Sequence, residues 1–253
     1  MRELPALPLL ARRYPLTSVP GALTSVPGAQ RLQAVRERID RALSRCDSPQ
    51  EVVLVGASKR QSLANLRAAY DAGLRVFGEN RVQEAETKIP ELPQAEWHLI
   101  GPLQSNKAQR AVHDFAVVHS VDRLKIARAL NRHAAEASKT IDCFVQINLG
   151  REQTKHGFLA EELEPAMAGI AELTHVRILG LMAIPPDSPV PEDARPWFRQ
   201  LRELRDRLYD SAPARDFPGY LSMGMSRDFE IAIEEGATHV RVGTALFGAR
   251  PPW

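Results

Sequence analysis

The sequence predicts an α/β fold, a single (β/α)8 barrel of the TIM type preceded by an extra N-terminal helix and a proline-rich N-terminal arm. From residue 29 onward, eight apolar runs alternate with segments of helical periodicity, a pattern typical of a parallel sheet. Eight such units in a chain of 253 residues favour closure into one barrel. No Gly-x-Gly-x-x-Gly follows the first run, which argues against an open dinucleotide-binding sheet.

The first part of the chain carries a duplicated heptapeptide. Residues 16–22 read Leu-Thr-Ser-Val-Pro-Gly-Ala, and residues 23–29 repeat them. The Pro-Gly pair in each copy disfavours a long helix or a central strand, since proline fixes φ and glycine frees it. We therefore predict a flexible arm over residues 1–28 and a barrel domain over residues 29–253.

The elements follow in order from the periodicity of the apolar residues. Helical spacing predicts the extra helix over residues 30–45. Uninterrupted apolar runs, which indicate strands covered on both faces, lie at 51–58, 74–77, 96–100, 115–119, 143–148, 176–182, 220–222 and 239–242. The intervening helices are predicted over 62–72, 80–88, from 105, 122–137, 160–173, 191–209 and 226–235, with a last turn near 245.

Composition excludes several classes of function. Lys plus Arg number 33 and Asp plus Glu number 31, so a net charge of +2 gives no electrostatic basis for binding nucleic acid. No run approaches the roughly 18 apolar residues of a membrane span. The 2 cysteines form no Cys-x-x-Cys pair and the 7 histidines show no metal-ligand spacing, so we expect a cytoplasmic protein without a structural metal.

The ends of the barrel strands are where the chemistry of this fold is found. Lys59 follows the first predicted strand directly and can project into the mouth of the barrel. Partial burial there favours the neutral amine, which attacks an aldehyde. A solvated lysine that has merely left the strand is the alternative.

The loops after the seventh and eighth predicted strands form a second candidate site. Ser222 to Ser226 lead into one helix, and Gly243 and Thr244 precede another. Backbone N–H groups at helix starts bind phosphate, and glycine allows close approach of the ligand. Helix capping by these serines is the alternative.

Arg241 is the third candidate, because it alternates with Val240 and Val242 and so faces the other side of its strand. An inward arginine near the mouth needs an acceptor, either on a ligand or on a neighbouring strand. An amine for an aldehyde, a phosphate cradle and a cation facing an acceptor atom together match pyridoxal 5′-phosphate (PLP).

The sequence also closely resembles the pyridoxal phosphate homeostasis protein family, whose fold is that of the amino-terminal barrel of alanine racemase. The resemblance extends over about residues 30–250, and the segments that carry it are Val55–Lys59, Phe77–Asn80, Trp97–Lys107, Gly180–Pro185, Leu221–Ser226 and Arg241–Gly248. The sequence departs from the family pattern at Arg60, Gln61 and Arg81, all at the predicted rim.

The resemblance implies a role for each of several residues. Lys59 would carry PLP as a lysine aldimine, and Ser226, Gly243 and Thr244 would surround its phosphate, with Ser222 nearby. Arg241 would face the pyridine nitrogen. Asn80 and His98 match positions that line the pocket.

Binding without turnover is the function that we predict: in intracellular PLP homeostasis, a monomer or weak dimer stores PLP or delivers it, with apo PLP enzymes as recipients. A charged guanidinium leaves the pyridine nitrogen unprotonated, which weakens the ring as an electron sink. The sequence ends after its eighth unit, so we expect no second domain to supply an opposing acid or base. A PLP-dependent amino-acid racemase is the alternative, and a Schiff-base aldolase is a third hypothesis.

Overall fold

The structure, a computed structural model, describes residues 27–47, 51–211 and 217–249. Eight parallel strands close into a barrel in chain order, which confirms the predicted fold. The strands are β1 (Val53–Ala57), β2 (Val76–Glu79), β3 (Glu96–Leu99), β4 (Val117–Val121), β5 (Ile141–Ile147), β6 (Val176–Ala183), β7 (Tyr220–Ser222) and β8 (His239–Val242). The α-helices are α1 (Pro27–Leu43), α2 (Leu63–Asp71), α3 (Val82–Lys88), α4 (Ala108–Asp114), α5 (Leu124–Glu136), α6 (Leu163–Ala171), α7 (Arg195–Ser211), α8 (Phe229–Glu234) and α9 (Thr244–Phe247).

The extra N-terminal helix is present as α1 and begins earlier than the periodicity predicts. Pro27 and Gly28, the Pro-Gly pair of the second heptapeptide copy, lie in its first turn. Proline suits this position because the first helical N–H groups have no partner within the helix. The arm as far as residue 26 lies outside the described residues, and its flexibility stays a prediction.

Helix α1 takes the place beside the barrel that a longer eighth helix would fill. The helix after β8 has only 4 residues. Arg31 of α1 donates a hydrogen bond to the carbonyl of Phe247 at its end, at 3.2 Å. Arg36 donates to Gly73 after α2 at 3.0 Å, and Arg38 pairs with Glu230 of α8 at 2.6 Å. These contacts join the first and last units of the barrel from outside.

The apolar residues form two layers separated by the sheet. The inner layer fills the barrel and consists of Val53, Val55, Val76, Ile100, Val117, Phe144, Leu179, Met182 and Tyr220. A larger outer layer lies between the sheet and the helices. Because side chains alternate along a strand, most strands contribute apolar residues to both layers. Strands β3 and β8 instead place polar side chains inward, including His98, His239 and Arg241.

Several strand boundaries differ from the predicted ones by one or two residues, and those of β2 and β4 have a clear physical reason. Strand β2 begins at Val76 rather than residue 74, and β4 at Val117 rather than residue 115. The backbone N–H of Leu74 bonds to Ala69 of α2, and that of Phe115 bonds to Ala111 of α4. These apolar residues therefore complete the preceding helices. Within the described residues, no helix has the length and apolar character that crossing a bilayer requires.

Candidate functional site

Lys59 lies at the carboxyl end of the barrel, two residues beyond the last residue of β1. Val53 and Val55 face the barrel interior, and Ala57 packs against the same inner layer. The half-buried Lys59 follows at the same spacing of two residues. The next residue, Arg60, has a positive φ of 61°, so the chain turns sharply at this point.

A buried polar cluster supports the turn that carries Lys59. The ammonium of Lys88 donates to the carbonyl of Ser58 at 2.8 Å, and to the carboxylates of Glu79 and Glu84 at 2.7 Å each. The Ser58 hydroxyl donates to Glu79 at 2.7 Å, and the backbone N–H of Arg60 donates to Glu84. Burial raises the pKa of Glu79, although Lys88 opposes this effect. The backbone on both sides of Lys59 is thereby fixed.

Arg241 occupies the interior beneath the mouth, as its strand alternation predicts. It is 5% exposed and donates to the Ser222 hydroxyl at 2.6 Å and to the Ala183 carbonyl at 2.9 Å. Burial lowers the pKa of Arg241 to about 10, which leaves the guanidinium charged at neutral pH. Among the described residues, none places a carboxylate at ion-pair distance from Arg241; the charge of Asp228 acts on it from further away.

The loops after β7 and β8 meet at the same mouth. The Ser226 hydroxyl accepts hydrogen bonds from the backbone N–H groups of Gly243 and Ala245, both at 3.2 Å. A Cβ on Gly243 would lie 3.3 Å from the carbonyl oxygen of Ala57 at the end of β1, so the backbone of β8 passes close to the base of the Lys59 turn. Thr244, the first residue of α9, is exposed.

Asn80 lies on the opposite side of Lys59, directly after β2. Strand β2 pairs with β1 through Ala57 and Gly78. Gly101, which follows β3, packs so closely that a Cβ there would lie 2.3 Å from the carbonyl oxygen of Asn80. The half-buried Asn80 is therefore held at the mouth by its backbone.

His98 is not at the rim. It is fully buried in the barrel interior, where its Nδ1 lies 3.0 Å from Nε2 of His119 and its Nε2 lies 2.8 Å from a carboxylate oxygen of Glu96. Both ring nitrogens thus have protein partners. Direct contact between His98 and a cofactor stays a prediction, and this arrangement does not favour it. His98 is connected to the mouth of the barrel through its hydrogen bond to His119.

Three contributors to the site were missed by sequence reasoning. His119 reaches the Ser222 hydroxyl, at 2.7 Å from its Nδ1. The Ala183 carbonyl accepts from Arg241 at the end of β6. Asp228 accepts from the backbone N–H of Met225 at 2.6 Å, and burial raises its pKa, although Arg241 opposes that shift. Strand alternation could have indicated His119, because it follows Val117 at a spacing of two.

The residues brought together at the mouth fit the chemical groups of PLP. The half-buried Lys59 lies at the carboxyl end of β1, and the buried Arg241 guanidinium has no carboxylate at ion-pair distance among the described residues. Beside them, the backbone at Gly243 is close to β1 and has its N–H directed at the Ser226 hydroxyl. In the part of the chain that the structure describes, no group of three or more His, Cys, Asp or Glu side chains is arranged to hold a metal ion.

Comparison with known proteins places the chain in a family. Residues 30–251 match the family model of the alanine racemase N-terminal domain. The pyridoxal phosphate homeostasis protein of Aquifex aeolicus (strain VF5) is 45% identical over 227 residues, which cover 87% of this chain and 97% of that protein. The protein of the same name from Escherichia coli (strain K12) is 41% identical over 227 residues, 87% of this chain and 95% of that protein.

Solved structures agree with this placement. PipY of Synechococcus elongatus PCC7942, solved with PLP bound, superposes with a TM-score of 0.77 at 39% identity, covering 87% of this chain and 100% of PipY. An alanine racemase of Clostridium difficile 630 gives a TM-score of 0.66 at 14% identity, with 85% of this chain and 58% of the racemase covered, and shows a shared fold alone.

The fold and the mouth of the barrel therefore define a protein of the alanine racemase N-terminal domain class. Within that class, the chain belongs to the pyridoxal phosphate homeostasis protein family.

Proposed function

We propose that this protein binds PLP at the carboxyl end of its barrel and holds it for intracellular homeostasis, releasing it to apo PLP enzymes without turning over a substrate. The observation that carries the proposal is that a half-buried lysine, a glycine-containing loop and a buried guanidinium lie at one end of the barrel, the guanidinium being held by neutral acceptors within the described residues. The names of the relatives and the PLP bound to PipY support the same ligand.

Covalent attachment is the role proposed for Lys59. The Lys59 amine would form a C=N bond to the aldehyde carbon of PLP, and the aldehyde oxygen would leave as water with the two amine protons. The buried Lys88 cluster holds the backbone on both sides of Lys59, so the amine is presented from a fixed turn. Asn80 borders the other side of this turn and would contact the cofactor near the attachment point.

The phosphate is assigned to the loops after β7 and β8. The Ser226 hydroxyl, the backbone N–H of Gly243 and the Thr244 hydroxyl would surround it. The hydroxyl of Ser226 already accepts from Gly243 and Ala245, so these donors converge on one point. A phosphate oxygen is a stronger acceptor than a hydroxyl and would take over these N–H groups.

The ring is assigned to Arg241, with Ser222 behind it. A guanidinium only donates hydrogen bonds, so a pyridine nitrogen that faces it must accept and carries no proton. PLP, when bound, supplies an electron sink for carbanions, and the unprotonated ring is a poorer one. This physical effect supports storage and delivery over amino-acid chemistry.

The cellular setting is part of the proposal. The chain carries only 2 cysteines, Cys46 and Cys143, far apart in sequence, and this sparse usage supports a reducing compartment such as the cytoplasm. Delivery from a monomer or weak dimer needs only an open mouth on each chain.

The test of attachment is reduction followed by peptide mapping. The purified protein, loaded with PLP and reduced with borohydride, should carry the pyridoxyl group on Lys59. The Lys59→Ala variant should lose both the adduct and the absorbance of the attached cofactor, whereas Lys107→Ala, which replaces a half-buried lysine after β3, should keep both. An adduct mainly on Lys107 or Lys155 of the wild-type protein would reject the assignment.

A second measurement separates a carrier from a racemase. The loaded protein should activate an apo PLP enzyme stoichiometrically and should not exchange the α-hydrogen of L- or D-amino acids with solvent deuterium. Exchange at ordinary enzymatic rates that disappears in Lys59→Ala would establish the racemase instead.

A further inference from the structure

An unbroken chain of hydrogen bonds crosses the barrel interior and ends at Arg241. Glu96, at the amino end of β3, lies 2.8 Å from His98 Nε2, and His98 Nδ1 lies 3.0 Å from His119 Nε2. His119 Nδ1 lies 2.7 Å from the Ser222 hydroxyl, which accepts from Arg241 at 2.6 Å. The chain thus joins the floor of the barrel to its mouth.

The donor at one end and the acceptor at the other set the direction in which these hydrogen bonds are donated. Arg241 can only donate, so the Ser222 oxygen accepts from it; the Glu96 carboxylate at the other end can only accept, so with both rings neutral the Ser222 hydroxyl donates its proton to Nδ1 of His119. His119 must then carry its proton on Nε2 and donate it to Nδ1 of His98. His98 in turn carries its proton on Nε2 and donates it to the Glu96 carboxylate, which can only accept.

The surroundings favour an uncharged His119 in the middle of this chain of hydrogen bonds. His98, His119 and Ser222 are fully buried, and only the Glu96 side chain is partly open, at 11%. The His119 ring stacks on Phe144 with 4.5 Å between ring centroids. Burial, together with His98, His239 and Arg241, holds the pKa of His119 well below its ordinary value. Reversing the chain would require a second proton on His98.

We propose that Glu96, His98 and His119 are positioning residues for Arg241. They orient the Ser222 hydroxyl as its acceptor and thereby fix the guanidinium that faces the ligand. This inference deepens the proposed function and rests on it for the identity of the ligand.

The geometry explains how a cation is held in the mouth without being neutralised. Ser222 and the Ala183 carbonyl fix two N–H groups of Arg241 with neutral acceptors. The negative charge at the far end of the chain, on Glu96, strengthens each successive acceptor by polarisation. The positive charge of Arg241 is therefore not neutralised by these acceptors and can interact with a ligand. Its orientation is set by the hydrogen-bonded residues that run from Glu96 to Ser222.

The first test reads the protons directly in the full-length protein and needs no PLP. Nitrogen-15 NMR of the imidazole groups should show His98 and His119 neutral, each with its proton on Nε2. A neutral His119 protonated on Nδ1, or a doubly protonated His98, would overturn the one-way chain.

The second test compares two buried histidines of the same barrel. His119→Leu breaks the chain, whereas His239→Leu makes the same change at a fully buried ring whose Nδ1 faces Thr238 and which lies outside the chain. The His119 variant should bind PLP about five-fold more weakly, the equivalent of one ordinary hydrogen bond, and should shift the absorbance of bound PLP. The His239 variant should keep both values. Equal effects of the two substitutions would reject the positioning role.

Two further variants keep the inference testable if a core substitution impairs folding. Glu96→Leu removes the terminal acceptor at the partly open end, and Glu96→Gln restores an acceptor of the same shape. The Leu variant should speed rotation of the Arg241 guanidinium, seen as line broadening of its N–H signals, and the Gln variant should restore the slower rotation. Unchanged rotation in Glu96→Leu would reject the inference. Since this readout needs no ligand, wild-type protein that binds no PLP would reject the proposed function alone.

Discussion

At the scale of single residues, burial and charge oppose each other at Arg241. A guanidinium that is 5% exposed and held by one hydroxyl and one carbonyl has lost most of its hydration. Such a cation is costly unless a ligand supplies an acceptor. The arrangement therefore suits a binding site better than a structural ion pair.

Reversing the charge at this position should change the bound ring. In Arg241→Glu a carboxylate would face the pyridine nitrogen and favour its protonation, so the absorbance of bound PLP should shift and slow transamination with amino acids should appear. Arg81→Glu, an exposed change at the rim, is the matched control. An unchanged spectrum with undiminished affinity would show that Arg241 does not touch the ring.

Residue-level prediction from sequence succeeded where strand alternation decides the outcome. The inward position of Arg241 followed from its alternation with two valines. The position of Lys59 at the carboxyl end of β1 followed from the end of an apolar run. The partners of Arg241 did not follow, because Ala183 and Ser222 come from strands β6 and β7, far away in the chain. His98 illustrates the same limit, since local sequence cannot say at which height in a barrel a side chain lies.

At the scale of elements, the contact between α3 and the end of β1 links helix packing to the site. Lys88 is the last residue of α3, and its side chain is 7% exposed against a Glu79 side chain that is fully buried. The same ammonium holds the Ser58 carbonyl beside Lys59. The stability of this helix and the geometry of the mouth therefore depend on one cluster.

Removing the cation of that cluster should destabilise the protein strongly. Lys88→Met leaves the Glu79 carboxylate buried without its partner, and the free energy of unfolding should fall by about 3–5 kcal/mol. The exposed Lys125→Met should change it by less than about 0.5 kcal/mol. Chemical denaturation measures both values. The double variant Glu79→Leu/Lys88→Met should recover part of the loss, and an equal loss in single and double variants would contradict the argument.

The close approach of β6 and β7 gives a second prediction at this scale. A Cβ on Gly180 would lie 1.8 Å from the carbonyl oxygen of Tyr220, and backbone cannot move away as a flexible side chain can. Gly180→Ala should cost about 3 kcal/mol or more. At Gly28 in α1 the added Cβ would meet only Ala68, at 3.8 Å, so Gly28→Ala should be neutral or stabilising. Thermal unfolding of the two variants tests the contrast, and similar melting temperatures would refute it.

Element boundaries show where periodicity stops being informative. The number and type of the barrel elements followed from the sequence, but β2 and β4 began two residues late. Leu74 and Phe115 are apolar like the strands that follow them, and only their hydrogen bonds to the preceding helices distinguish them. Such bonds are decided by the tertiary fold, which a local pattern does not contain.

At the scale of the whole molecule, the barrel is closed around polar as well as apolar side chains. His98, His119 and His239 all lie in its interior, with ring centroids 5.0 to 6.5 Å apart. Closure brings them together from β3, β4 and β8. Motif analysis cannot detect this cluster, because its members are far apart in the sequence. In a closed barrel, however, alternate residues of every strand face the interior, so inward side chains from different strands must contact one another.

This cluster makes global stability depend on pH in a direction that can be worked out. Burial holds the pKa of His119 and His239 well below the ordinary value of 6.5. Below that value the unfolded chain binds protons that the native rings do not bind, so stability present at neutral pH is lost as the pH falls, by about 1.4 kcal/mol per pH unit for each ring.

The His239→Leu variant should therefore show a slope of unfolding free energy against pH, between about pH 6 and pH 5, that is smaller by about 1.4 kcal/mol per unit. Urea denaturation across this range measures the slopes of wild type and variant, and because other groups titrate there too, the difference between them is the test. Equal slopes in wild type and His239→Leu would mean that the ring takes up its proton inside the folded barrel.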